Sequence, residues 1–137
     1  MATSEGEDWP EELRLKRGRR VLEVAFADGR RVPLSAEFLR VLTPSAERKG
    51  HAASDEKILA GKREVAIARI EPVGRYAVRL VFDDGHATGI YTHDGLARMA
   101  ARRDALWRRY EEGLAATGLS RDAPGTAPWP GGSGLRG

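Results

Sequence analysis

From Val21 the chain alternates: Leu22, Val24 and Phe26 fall on one side of an extended segment, and Val21, Glu23 and Ala25 on the other. This is the period-2 signature of a half-buried strand. Asp28-Gly29 follows, a pair suited to the positive φ of a tight hairpin turn, and Arg31-Val32 begins the return strand. Leu13 and Leu15 supply a short strand before this hairpin. Pro33 is expected to end the return strand, because it brings no N–H to a ladder. Ser35 then caps a short helix, with Leu34 and Leu39 placed as a hydrophobic staple. That helix should stop at Leu42, since Pro44 disfavours helical geometry at Thr43.

From His51 to Gly61 the chain is polar, with Ile58 and Leu59 as its only large apolar residues, which predicts a surface excursion. Three strands follow as a meander: Val65, Ile67 and Arg69 against Ala66, Ala68 and Ile70, then Tyr76 to Phe82, then Ala87 to Tyr91. Pro72 and Gly74 suit the first turn, and Asp84-Gly85 the second. Beyond Thr92 the period changes. Leu96, Met99, Leu106, Trp107, Tyr110 and Leu114 recur at helical steps, with Gly118 as the stop. Asp94 is a candidate cap for the start of this stripe. Asp104 is a second, so a break is expected near Ala101 to Arg103. Strands followed by helices that cover one sheet face predict an α+β two-layer domain, a mainly antiparallel sheet of about five to six strands with the C-terminal helix or helices packed on it.

Composition adds limits to this picture. A chain of 137 residues, 41% apolar and 31% charged, suits one folded domain. Residues 1–9 are acidic and small, and the stretch from Ser120 to Gly137 is rich in Pro, Gly and Ala, so both are expected to be flexible ends around a folded unit of residues 10–119. No apolar run approaches the roughly 20 residues that cross a bilayer, and the first residues lack the order of a signal peptide, which predicts a cytoplasmic protein without membrane contact. There is no cysteine. That excludes disulfides, thiolate metal sites and a cysteine nucleophile. The net charge is only +3, from 23 Lys and Arg against 20 Asp and Glu, so nucleic acid is not an expected partner.

Candidate chemistry concentrates in Asp83-Asp84-Gly85-His86 and, at the next junction, His93-Asp94. Asp and Gly are wanted at a hairpin turn for backbone reasons alone. Two acids and a histidine also make a hard-metal or proton-transfer cluster, so a metal-binding protein or small enzyme using Asp83, Asp84, His86 and His93 is the alternative to a plain turn. The motifs of common hydrolases, proteases and nucleotide-binding proteins are missing, and none of the histidines has an acid two positions on, as an iron facial triad needs. Two basic stretches remain, Lys16 to Arg20 and the helical Arg102, Arg103, Arg108 and Arg109. Both read as solvated faces, with nucleic acid or an acidic protein surface as the sharper reading.

The segments "DGRRVPLSAEFLRVLTPSAERKGH", "VAIARIEPVGRYAVRLVFDDGHATGIYT" and "LWRRYEEGLAATG" together resemble the gamma-butyrobetaine hydroxylase-like N-terminal domain family, from about Glu11 to Arg121. The motifs LRxxxPSAE, IEPVGxYAxxxxFDDGH and GIY occur in that order. The resemblance implies a domain that forms small bacterial proteins by itself, precedes the oxygenase barrel in gamma-butyrobetaine and trimethyllysine hydroxylases, and is fused elsewhere to iron–sulfur carrier ATPases of the Mrp type. In the hydroxylases it resembles a zinc-binding accessory module with three cysteines and one histidine. Laid on this chain, those cysteine positions fall near Thr43, Ser45 and Arg48, and the histidine on His86. Without thiolates the structural zinc is not expected, and His86 alone is the metal candidate that survives. The resemblance thus implies no cofactor, with zinc or iron as the alternative. It implies a non-catalytic accessory module with a protein partner, an Mrp-type carrier ATPase being the class to test. The expected contact surface is the rim of Arg40, Pro44, Ser45, Glu47, Asp83, Asp84 and His86.

Overall fold

The computed structural model describes residues 10–42, 57–87 and 89–128. Among these the elements run β1 (Pro10–Lys16), β2 (Val21–Phe26), β3 (Arg31–Ser35), α1 (Ala36–Val41), β4 (Lys57–Ala60), β5 (Ile67–Val73), β6 (Ala77–Phe82), β7 (Gly89–Thr92), α2 (His93–Ala101), α3 (Arg103–Thr117) and β8 (Gly125–Pro128). Every strand pair is antiparallel. The fold is α+β, but its strands divide into three sheets, β1-β2-β3, β5-β6-β7 and β4-β8, instead of joining in one. No described helix is long and apolar enough to cross a membrane.

The first sheet follows the alternation in the sequence. Leu22, Val24 and Phe26 are buried, and Gly29 takes φ +96 in the turn. Pro33, however, does not end the strand: it pairs with Glu23 inside β3. Its carbonyl accepts from Arg103 Nη1 at 3.1 Å, on the side away from β2. Because N–H and C=O of one strand residue point the same way, the missing N–H falls on the open edge, where no ladder needs it. The Ser35 hydroxyl caps α1 by accepting from Phe38 N–H at 3.0 Å, and the staple residues Leu34 and Leu39 are both fully buried. Leu42 is the C-cap.

In the second sheet a bulge between Ile67 and Arg69 shifts the alternation, so Ile70 rather than Arg69 follows Ile67 in packing on the core. Pro72 pairs with Val78 within β5, another edge strand, and Gly74 at φ +63 makes the turn without it. The cap of α2 is Thr92, whose hydroxyl accepts from Gly95 N–H at 2.8 Å. Asp94, the expected cap, instead lies in the first turn and pairs with Arg98 at 2.6 Å. The helical stripe does break, at Arg102. That residue, not Asp104, holds the N-cap position of α3, and Gly118 in the left-handed region closes the helix.

The main core lies where the first two sheets, α1 and α2 meet, and includes Leu22, Leu34, Leu39, Ile67, Leu80, Phe82, Tyr91 and Leu96. Each large apolar side chain buried there stabilises the fold by about 1.5–3 kcal/mol. A second core of Val41, Ile58, Ala60, Tyr110 and Leu114 joins α1, β4 and α3. Here two segments depart from expectation. The described part of the supposed surface excursion is strand β4, with Ile58 fully buried, and its partner β8 comes from the supposed loose tail, Ile58 opposite Ala127.

Residues Ser120 to Pro128 act as a strap. Gly61 N–H donates to Ser120 C=O at 3.0 Å, and Arg63 N–H to Arg121 C=O at 3.2 Å. The Arg63 guanidinium pairs with Asp122. Arg121 clasps Glu37 through Nε at 2.8 Å and Nη2 at 2.6 Å while its guanidinium lies 5.1 Å from the Trp107 ring centroid. Glu37, 4% exposed, is the one buried charged residue among those described. Composition hides this arrangement because it is made by tertiary partners, not by local preference.

Candidate functional site

The turn between β6 and β7 is Asp83-Asp84-Gly85-His86. Gly85 takes φ +93, and Phe82 N–H donates to His86 C=O at 2.9 Å. Both acids are engaged. Asp83 exchanges two bonds with Ala66: its N–H donates to the Ala66 carbonyl at 2.9 Å, and its Oδ1 accepts from Ala66 N–H at 3.1 Å. Asp84 Oδ1 accepts from His86 N–H at 3.1 Å. Its Oδ2 faces Arg40 Nε at 3.0 Å and Lys62 Nζ at 2.6 Å. Arg40 also lies over the Phe82 ring, 5.9 Å from its centroid, and Phe82 is 6.1 Å from the His86 ring.

These side chains are half-buried: Arg40 is 12% exposed, Asp84 22% and Lys62 23%. Burial opposes ionisation of Asp84, but the hydrogen bonds from Lys62 and His86 N–H and the charge of Arg40 outweigh it, bringing the carboxyl down to about 2. Burial, and then the charge of Arg40, lower the His86 imidazole below its usual range. The result is a carboxylate held in its ionised form between two cationic side chains, beside a ring whose protonation is disfavoured. Such a carboxylate is a poor proton acceptor near neutrality. Two cations, Arg40 and Lys62, stand against two carboxylates, Asp83 and Asp84, and both cations are drawn to Asp84.

The structure brings Arg40, Asp83, Asp84 and His86 into one neighbourhood, while Pro44, Ser45 and Glu47, with the zinc-pattern positions Thr43 and Arg48, lie outside the described residues. Lys62 completes the cluster and was not foreseen. It stands in the connection from β4 to β5 with no motif around it, so only the fold reveals it. His93 does not join the group: its N–H donates to Tyr76 C=O, at the opposite end of β6 from the His86–Phe82 bond. Strand rise puts those two ends about 20 Å apart. The expected four-residue constellation with His93 is therefore not assembled. Among the described residues no three His, Asp or Glu side chains are placed to hold a metal ion.

The basic stretch Lys16 to Arg20 is a structural clasp. Arg17, Gly18 and Arg19 all take left-handed φ, of 52°, 65° and 69°. Arg19 accepts from Ile67 N–H at 2.8 Å and donates through Nη1 to Ala68 C=O at 3.2 Å; Arg20 accepts from Ala36 N–H at 2.7 Å and pairs with Glu64. Arg102 and Arg103 line a trough beside β3, while Arg108 is exposed and Arg109 half-buried.

With this geometry in view, the profile of the family described as gamma-butyrobetaine hydroxylase-like, N-terminal, matches residues 13–97, which span β1 to the first half of α2. A protein of unknown function of the DUF971 family from Acidithiobacillus ferrooxidans ATCC 23270, solved by crystallography, is 41% identical with a TM-score of 0.57. The alignment covers 72% of this chain and 99% of that one. Two proteins solved in solution by NMR are 41% and 39% identical, with TM-scores of 0.69 and 0.68, over 88% and 83% of this chain and 90% of each of theirs. No curated protein sequence matches the chain.

Proposed function

The chain belongs to the gamma-butyrobetaine hydroxylase-like N-terminal family, and from that premise we propose that it is a non-catalytic binding module whose contact surface centres on Arg40, Lys62, Asp84 and His86. The observation that carries this reading is the commitment of the turn's acids: Asp83 is tied to Ala66, and Asp84 is held by two cations and its own turn. What remains to meet another molecule is the half-buried pair of cations Arg40 and Lys62, with the exposed Asp83 carboxylate and the His86 imidazole beside them. Positive charge at a partly desolvated rim is suited to steering and fixing an acidic protein surface. The partner class is an Mrp-type iron–sulfur carrier ATPase, taken over from the family resemblance.

The test is a binding measurement between the purified full chain and such an ATPase, with Arg40→Glu and Lys62→Glu as variants. Binding that weakens with salt and is lost in both variants is the expected result. Equal binding by wild type and variants, or none at low salt, overturns the reading. Elemental analysis separates the metal alternative: a stoichiometric ion that disappears in His86→Ala would replace this proposal with a metal site.

A further inference from the structure

A trough of about 370 Å³ runs between β3 and the elbow where α2 passes into α3, and a second of about 180 Å³ shares Val32, Ala100 and Ala101 with it. The two form one groove along β3 and α2. Methyl groups make its floor, since α2 turns Ala97, Ala100 and Ala101 toward Val32. Its walls are charged and richer in arginine than in acid: Arg30, Arg98 and Asp94 at one end, Arg31, Arg102, Arg103 and Asp104 at the other.

We propose that this groove docks an acidic segment of a partner protein through side chains, its apolar residues on the alanine floor and its carboxylates on the arginines. The proposal concerns a second surface, distinct in its residues from the Arg40–Lys62 rim. Charge complementarity carries it. Arg31 shares the half-buried Glu23, whereas three of the other arginines have exposed partners, Arg30 with Asp28 at 52% and 55%, Arg98 with Asp94 at 59% and 62%, and Arg103 with Asp104 at 39% and 83%. Pairs of this kind contribute about 0–1 kcal/mol, so an incoming carboxylate can replace them at little cost. Arg102 makes no ion pair among the described residues.

Two features define the occupant further. Strand addition to β3 is blocked, because Pro33 offers no N–H and its carbonyl is already taken by Arg103. A continuous phosphodiester backbone would pass Asp94 and Asp104 and be repelled, whereas a peptide can place its acids singly.

The test is fluorescence anisotropy with the full chain at low salt, using a labelled synthetic peptide of alternating glutamate and leucine and its glutamine counterpart. The glutamate peptide should bind and the glutamine peptide should not. Arg102→Glu should weaken binding on the order of tenfold, equal to about 1.4 kcal/mol, while Arg40→Glu leaves it unchanged. Because the Arg102 side chain makes no capping bond, its variant should keep the wild-type melting curve; Arg98→Glu is the second variant if it does not. Equal binding of both peptides, or loss in Arg40→Glu but not Arg102→Glu, overturns the proposal. So does tighter binding of a single-stranded oligonucleotide. Binding that appears only after Glu5→Gln, Glu7→Gln and Asp8→Asn are combined would assign the groove to the chain's own residues 1–9 and overturn it as well.

Discussion

Removing Arg121 should leave Glu37 as a buried carboxylate without its guanidinium. Glu37 is 4% exposed and accepts two bonds from Arg121, whose own side chain is 30% exposed. Breaking a fully buried pair by deleting one partner costs about 3–5 kcal/mol. Water reaches the Arg121 side of this pair, so Arg121→Met should cost about 2–4 kcal/mol, a large part of the 5–15 kcal/mol that holds a typical domain. Replacing both partners, as Glu37→Met with Arg121→Met, removes the stranded charge and should recover most of the loss. Guanidinium unfolding followed by far-UV circular dichroism reads both effects, with a constant slope showing that only stability changed. If Arg121→Met shifts stability by less than about 0.5 kcal/mol, or if the double variant falls by the sum of the two single losses, the clasp does not hold the strap.

Acid should destabilise the protein in two stages. The lowered His86 keeps the fold from taking up a proton that the unfolded chain binds below its ordinary range, so stability declines first as pH falls through about 6.5. The carboxyl of Asp84, at about 2 when folded, adds stability that is present above its unfolded value near 4 and is lost between there and 2. Discounted for partial exposure, that second contribution is about 1–2 kcal/mol, and Asp84→Asn should abolish it in a pH series of denaturant midpoints. Gly61→Ala should destabilise by more than about 2 kcal/mol and expose the strap to limited proteolysis after Arg121, since the residue sits at φ +76 and a Cβ would lie 2.5 Å from Pro124 N; unchanged midpoint and cleavage would refute this. Tyr91→Phe removes the hydroxyl that donates to the Leu39 carbonyl, and a melt that moves by less than about 1 kcal/mol would show that this buried carbonyl finds another donor.

Local chemistry was legible wherever neighbours in sequence are partners in space. The β2–β3 hairpin followed from alternation and Asp28-Gly29, the α1 cap from Ser35, the helix stop from Gly118. Competing local signals were harder. Thr92 and Asp94 are both good caps, and only the fold decides between them. The prolines misled for one reason: a proline ends a central strand, but Pro33 and Pro72 lie in edge strands, and edge status is a property of the finished sheet. Strand β4 was invisible because its four residues find their partner in β8, far along the chain, and Lys62 was missed for the same reason. Of the site, the sequence offered the Asp83–His86 turn and Arg40 as one neighbourhood, but not the pairing of a single carboxylate with two cations.

The strap also fixes when the molecule can be finished. Glu37 meets a guanidinium 84 positions later, and Ile58 is covered by a strand that opens at Gly125. A nascent chain can assemble its first two sheets around α1 and α2 on the ribosome, yet its second core must stay open until β8 has left the exit tunnel. Through that interval an acidic group and the apolar edge of β4 are exposed to chaperones and neighbouring chains, so folding yield in the cell should depend on how soon β8 reaches β4 after the earlier elements have formed.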